Sequence, residues 1–391
     1  MENTVLYFSD CKLNQYNSVR DILYSIIHQD KIASCKHIIA ASSSALFNPV
    51  KIEEFEGIKH YSAPASSIKN TMQNKNLTLL TRLSFSFKRT IFNILNFLNI
   101  KDRYLSTYKI KYFEKVIEEI NPNIIVCLTL SPPKPEIINI FKNLNIPYIQ
   151  ILYDTYIERP YTDKEKVFLH EKYAIENSEG YFVPDFFYKC YSETYNNPKV
   201  ISYKLPLLIE KNDVVSAYQN VKHRFDFVHF GQIQSFRNGD NVKEIFKALN
   251  ITLDVFSTNS MQSDDTFIHH DAISKKELYE TITGTKYLVI LDNGEPYTKY
   301  LPSKVYLYIS FTKPILVFGN NKESALKTFL KDYPYFYYHA IDDDIVKLKK
   351  FIDTHFENKF YEPIYSEYIQ YLPENALNDF INLVIQVLNK K

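Results

Sequence analysis

Glycine is scarce in this chain, seven in 391 residues. Each one retained is therefore informative, Gly231, Gly239 and Gly294 above all. Cysteine is sparse too. Cys11, Cys35, Cys127 and Cys190 show no Cys-x-x-Cys spacing, which argues against a metal site and for free thiols in a reducing cytosol. No apolar run approaches the roughly 18 residues that a spanning helix needs. No leader is expected at the start, where Glu2 and Asp10 bracket only a short apolar run. Charge bias is absent as well: the formal net charge is +1, which gives no global attraction to nucleic acid. These absences leave a soluble, cytoplasmic chain as the expectation.

What is present is ordinary globular material. Apolar residues make up 45% and charged residues 23%, which excludes a disordered chain. At about 150 residues per domain, the length predicts two to three domains.

Strand-like and helix-like segments alternate from the start. Strands are predicted at 4–8, 36–40, 124–129, 146–152, 180–183 and 200–203, with a helix over about 13–29. Such alternation predicts a parallel sheet with helices on both faces. The segment from about Lys204 to His223 reads as a boundary, with Pro206 and then charge. The pattern then restarts, with strands at 225–230, 251–256, 267–269, 287–291, 315–318 and 336–338. Helices intervene near 241–249, 275–283 and 322–330. A last helix starts after Pro373, where Leu377, Phe380, Ile381, Val384 and Leu388 make one apolar stripe.

The stretch from Tyr287 to Phe318 organises the rest: YLVILDNGEPYTKYLPSKVYLYISFTKPILVF. A buried strand is followed by a polar loop with Gly294 and Pro296 as breakers. Ser303 stands where a helix N-cap belongs. Val305, Tyr308 and Ile309 give the short helix one buried face, and Lys313-Pro314 leads into the next strand. In a doubly wound sheet that loop lies over the carboxyl ends of the strands, where ligands bind. Ser303 and Lys304 at a helix start would favour a phosphate.

This stretch resembles the donor-site segment of GT-B glycosyltransferases of the "glycosyl transferases group 1" type. Pro302, Ser303, Lys304, Tyr308, Lys313 and Pro314 match that segment. Two positions depart: the helix glutamate that binds the donor ribose in the family is Leu307, and the glycine before Lys313 is Thr312. The resemblance implies an α/β chain of two Rossmann-like domains facing a cleft, with the terminal helix crossing back to the first. The expected division is 1–205 with 373–391 for the acceptor side, and 206–372 for the nucleotide-sugar side. It implies transfer of a sugar from a nucleotide diphosphate sugar to a hydroxyl acceptor in glycan or surface polysaccharide synthesis, with retention and with no metal or other cofactor.

Other segments fill in this expectation. FDFVHFGQIQSFRNGD ends a strand at Phe230, and Gly231 would let a diphosphate approach the backbone. Arg237 could meet it with a permanent planar charge. As a surface turn, the same segment needs only Asp240 as a cap. With the organising stretch about 60 residues on, phosphate binding is the preferred reading. Leaving diphosphate would then be stabilised by Arg237, Lys304 and N–H groups near Gly231 and Ser303. His269-His270-Asp271 resembles the segment that lines the donor base through backbone groups, with His270 on the donor side. A third ligand at metal spacing is lacking, which discounts zinc. Asp342-Asp343-Asp344 precedes a helix, where acidic residues suit the dipole, so it reads as a cap rather than a metal motif. Glu295 is the nearest acid in sequence that could replace the missing ribose ligand. In the first domain Asp10, Ser131 and Asp154 stand at strand ends, and Asp154 is the acceptor-side candidate; each could equally cap a turn.

The segment Arg82–Lys111 carries seven basic residues against one acid, Asp102, among Phe, Ile and Leu. It reads either as a core helix with a solvated basic face or as a membrane-surface element. The resemblance favours the second, with a lipid-linked acceptor at the inner face of the membrane. The rival functions are a nucleotide-sugar epimerase on the same fold and a non-catalytic partner subunit.

Overall fold

Strands covered on both faces need near-continuous apolar side chains. Val5, Leu6, Tyr7 and Phe8 meet that need, as do Ile124, Ile125, Val126, Cys127 and Leu128; all are buried. A computed structural model of the chain describes residues 3–9, 18–41, 51–55, 58–62, 114–129, 131–153, 163–206, 216–219, 225–233, 239–258, 263–292, 301–302, 304–320, 324–355, 371 and 373–390. The chain divides into two compact units. Unit 1 comprises Met1–Ile157, Thr162–Tyr203 and Asn378–Lys391; unit 2 comprises Glu158–Tyr161 and Lys204–Leu377.

Unit 1 holds an eight-stranded sheet in the order β3-β4-β2-β1-β5-β6-β7-β8. Its strands are β1 (Thr4–Ser9), β2 (Lys36–Ala41), β3 (Lys51–Phe55), β4 (Ile58–Ser62), β5 (Ile124–Leu128), β6 (Tyr148–Ile151), β7 (Gly180–Pro184) and β8 (Val200–Tyr203). All pairings are parallel except β3 with β4. The antiparallel β3 and its neighbour β4 are both absent from the sequence expectation. Their sequences, KIEEF and IKHYS, lack the apolar run that marks the central strands. Helices of this unit include α1 (Ser18–Ile27), α2 (Pro135–Asn143), α3 (Lys164–Asn177) and α4 (Asp185–Tyr195). Glu171 of α3 is buried, and its two carboxylate oxygens accept from Tyr191 at 2.9 Å and Tyr195 at 2.5 Å on α4. Burial pushes its pKa up to about 7, against the smaller opposing effect of the two phenols.

Unit 2 holds six parallel strands in the order β11-β10-β9-β12-β13-β14. They are β9 (Phe225–Phe230), β10 (Leu253–Ser257), β11 (Phe267–Asp271), β12 (Thr285–Leu291), β13 (Ile315–Gly319) and β14 (Phe336–Ala340). Counted within the unit, this is the doubly wound order 3-2-1-4-5-6, which reverses between β9 and β12. Successive side chains alternate between two cores. Val228, Phe230, Leu288, Ile290, Ile315 and Val317 fill one. Phe227, Tyr287, Val289, Leu291, Leu316 and Phe318 fill the other. The helices are α5 (Gly239–Ala248), α6 (Lys275–Gly284), α7 (Lys304–Ser310), α8 (Ala325–Phe329) and α9 (Ile345–His355).

The segment after Pro373 is not one helix. It breaks at Leu377 into α10 (Pro373–Ala376) and α11 (Asn378–Asn389). As expected, the terminal helix belongs to the first unit. Phe380 meets Phe182 edge-on with centroids 5.5 Å apart, and Lys31 donates to Asn378 at 3.0 Å. Gly180 permits the approach of α11 to β7, since a Cβ there would lie 2.5 Å from Leu383 Cδ2.

The shortage of glycine has a local answer. Left-handed residues follow the helix over 114–120, α2, α4 and α5, and all four are asparagines: Asn121, Asn145, Asn196 and Asn250. Asparagine tolerates this conformation better than other side chains, and so ends a helix where glycine usually would.

Candidate functional site

The reversal of strand order in unit 2 fixes where a crevice can open. Pairing between β9 and β12 runs to Leu288 with Val228, and then the strands part. The next backbone groups of β9 need other partners. Those partners come from α7, whose Val305, Tyr308 and Ile309 are buried, as their spacing predicts. The Phe230 N–H donates to the Tyr308 hydroxyl at 3.3 Å. The Phe230 carbonyl accepts from the Lys304 ammonium. Two side chains of one short helix thus take both polar groups of the last residue of β9. Tyr308 is wholly buried, and burial raises its pKa well above the ordinary phenol value. It acts as a pillar under the strand end.

Gly231 follows with φ +107°, a conformation that side chains resist. Its own N–H continues the ladder, donating to the Phe256 carbonyl at 2.8 Å. That N–H is therefore committed to the sheet, so any phosphate donor of this turn is a neighbouring N–H group. What the glycine supplies is room: a Cβ there would lie 2.9 Å from Lys304 Nζ. The ammonium stands at the carboxyl end of β9 with no side chain on the glycine beside it.

Three of the expected donor-side residues, Gly231, Lys304 and Tyr308, come together here. His270 lies two strands away. Phe230, Phe256 and His270 are in register across β9, β10 and β11. Phe256 stacks on Phe230 at 5.3 Å, and His270 stacks on Phe256 at 4.5 Å. The His270 imidazole is held by Asp254, Nε2 to Oδ1 at 2.6 Å. Arg237, Asp154, Glu295, Ser303 and Asp10 lie outside the described residues, as does the segment 82–111.

The two departures from the resembled segment have physical consequences. Leu307 is half-buried against the core of unit 2, three residues after Lys304 on the same side of α7. It puts an apolar group where the family has a carboxylate. Thr312 takes φ +49°, the left-handed region that glycine occupies freely. Lys313 is not a ligand group. Its ammonium donates to the carbonyls of Thr283 at 2.7 Å and Thr285 at 2.8 Å, where α6 passes into β12. Burial pulls its pKa down to about 8.

Two residues at the switch point escaped the sequence reading. His229 is wholly buried near the end of β9, with Nδ1 3.0 Å from the Val289 carbonyl and Nε2 3.4 Å from Lys304 Nζ. A polar residue inside the apolar run FDFVHF was its one available signal. Asp292, buried at the end of β12, accepts from the Tyr338 hydroxyl at 3.0 Å. Its N–H donates to Phe318 at 2.8 Å. The acidic triplet behaves as read: Asp344 accepts from the Val346 N–H at 2.9 Å at the start of α9.

The two parallel α/β units, with α11 in the first, define a GT-B fold. Solved structures match it over nearly the whole chain. An E. coli structure, trehalose-6-phosphate bound with UDP-2-fluoro glucose, has a TM-score of 0.59 at 8% identity, covering 100% of this chain and 99% of that one. The alpha,alpha-trehalose 6-phosphate synthase of Burkholderia multivorans has a TM-score of 0.54 at 8% identity, covering 100% and 97%. The UDP-GlcNAc 2-epimerase of Methanocaldococcus jannaschii has a TM-score of 0.51 at 9% identity, covering 98% and 99%. At these identities the likeness shows the fold. No protein-family model matches the chain. No curated protein matches it either.

Proposed function

We propose that the protein is a glycosyltransferase. It moves a sugar from a nucleotide diphosphate sugar to a hydroxyl acceptor in the synthesis of a glycan or surface polysaccharide. The observation that carries this reading is the Lys304 ammonium, fixed at the carboxyl end of β9 beside Gly231, at the switch point of a GT-B nucleotide-side unit. A fixed cation there meets the charge that develops on a leaving diphosphate, which is how a preorganised site lowers a barrier. Arg237, six residues beyond Gly231 in the same segment, is the second cation of the proposal. Retention of configuration, independence from metal and a lipid-linked acceptor approached through Arg82–Lys111 complete it on the strength of the family resemblance.

The test is product analysis with a panel of nucleotide sugars and a native glycan extract as acceptor. The expected outcome is a glycosylated product and free nucleoside diphosphate, both lost in Lys304→Ala. The resemblance of the fold to a UDP-GlcNAc 2-epimerase supports a second reading. The same nucleotide sugars without acceptor decide between them. An epimerised sugar formed without acceptor selects the second reading; an unchanged one selects transfer.

A further inference from the structure

The Lys304 ammonium has donors only, so whatever it touches must accept. His229 Nε2 lies 3.4 Å from it. The other ring nitrogen, Nδ1, is 3.0 Å from the Val289 carbonyl, which can only accept. Both contacts demand one and the same form of the ring: neutral, with its proton on Nδ1 and a lone pair on Nε2. The imidazole is wholly buried between strands β9 and β12, where their pairing has just ended. It bridges the gap between the strands on one side and meets the cation on the other.

We propose that His229 is a positioning residue for Lys304. In its Nδ1–H form it fixes the ammonium against the end of β9 and thereby sets the affinity for the diphosphate of a nucleotide. This rests on the reading of Lys304 as the phosphate-binding cation. A long lysine side chain has much rotamer freedom to lose on binding an anion. An acceptor on the imidazole and another on the Phe230 carbonyl remove that freedom before the ligand arrives, which is preorganisation in its ordinary sense.

The experiment is calorimetric titration of the folded full-length protein with the nucleoside diphosphate, out of UDP, GDP, ADP and dTDP, that the wild type binds most tightly. Lys304→Ala should weaken binding about tenfold or more. His229→Leu should weaken it about fivefold, and His229→Gln, whose amide can donate to Val289 and accept from Lys304, by clearly less. In a Lys304→Ala background, His229→Leu should cost nothing further, because its effect runs through the lysine. A loss in Lys304→Ala with none in His229→Leu overturns the positioning role and leaves the phosphate site standing. An equal further loss in the double variant overturns it too. No loss in Lys304→Ala, or no binding by the wild type, removes the phosphate site and the positioning role together. Should His229→Leu not fold, heteronuclear NMR of the wild-type imidazole nitrogens decides the matter: a proton on Nδ1 alone agrees with the proposal, and a proton on Nε2 refutes it.

Discussion

The two lysines that flank α7 invite comparison. Lys304 opens the helix and Lys313 follows it, and both donate to backbone carbonyls. Their surroundings part them. Lys304 reaches the end of a strand at the switch point, beside a glycine and an imidazole. Lys313 is enclosed, 5.7 Å from the Tyr218 ring, and ties the end of α6 to the start of β12. One segment of sequence therefore holds a cation that the proposed function assigns to a ligand and a cation placed for the fold. A motif match cannot tell them apart, because both occupy expected positions. What separates them is which carbonyls they meet.

The sharpest test of that division is Lys313→Ala. It leaves two carbonyls at a buried junction without their donor, and stability should drop by about 3 kcal/mol in denaturant unfolding. The pH profile should change as well. A lysine held at about 8, below its ordinary value of 10.5, binds its proton more weakly folded than unfolded. Stability should therefore rise between pH 8 and 10.5 in the wild type and stay flat there in Lys313→Ala. Glu171 supplies the opposite sign in unit 1. Its pKa is raised from 4.5 to about 7, so the folded state holds the proton more tightly. Stability should fall as pH rises through that window, by about 3 kcal/mol in all, and Glu171→Gln should abolish the fall.

Lys304→Ala should do the reverse of Lys313→Ala. Nucleoside diphosphate affinity should drop by about 2 kcal/mol, with a stability loss well below that of Lys313→Ala because one carbonyl at a strand end, not two at a buried junction, loses its donor. If its stability loss matched that of Lys313→Ala, the two lysines would be equivalent and the comparison would collapse. Gly231→Ala comes next. It forces a side chain into φ +107° and presses on the ammonium. It should cost about 1–2 kcal/mol of stability, and binding should weaken with it. The smallest effect is a gain. Thr312→Gly should stabilise by about 1 kcal/mol, since it relieves a β-branched residue at positive φ.

Much of the fold was legible because burial on both faces of a sheet writes continuous apolar runs. Tyr287 to Leu291 and Ile315 to Phe318 read as strands, and they are strands. β3 and β4 were not legible, since Lys51, Glu53 and Glu54 in the one and Lys59 and His60 in the other break any such run. Part of the candidate site was legible from short-range pattern: a glycine after a strand, a lysine before a buried helical stripe. His229 was not, because its partners lie 60 and 75 positions away. Nor could the sequence show that the Gly231 N–H is spent on Phe256, which is a fact of strand register. The departure at Thr312 was visible, but its meaning, a threonine in a glycine's conformation, needed the backbone.

The placement of α11 bears on how the protein is made. Unit 1 is discontinuous: its sheet is complete by Tyr203, but the helix that covers Phe182 and Gly180 is written at 378–389. Unit 2 is almost wholly a single run, Lys204–Leu377, and contains every strand of its sheet. On a ribosome adding about 5–20 residues per second, domains close when their last element emerges. The second-encoded unit can therefore finish before the first. For the roughly ten seconds or more needed to translate the intervening residues, the apolar surface over β7 awaits its cover. A ribosome-bound chain truncated after Leu377, and extended by a spacer long enough to clear the exit tunnel, should thus expose unit 1 to proteases and chaperones while unit 2 is already closed.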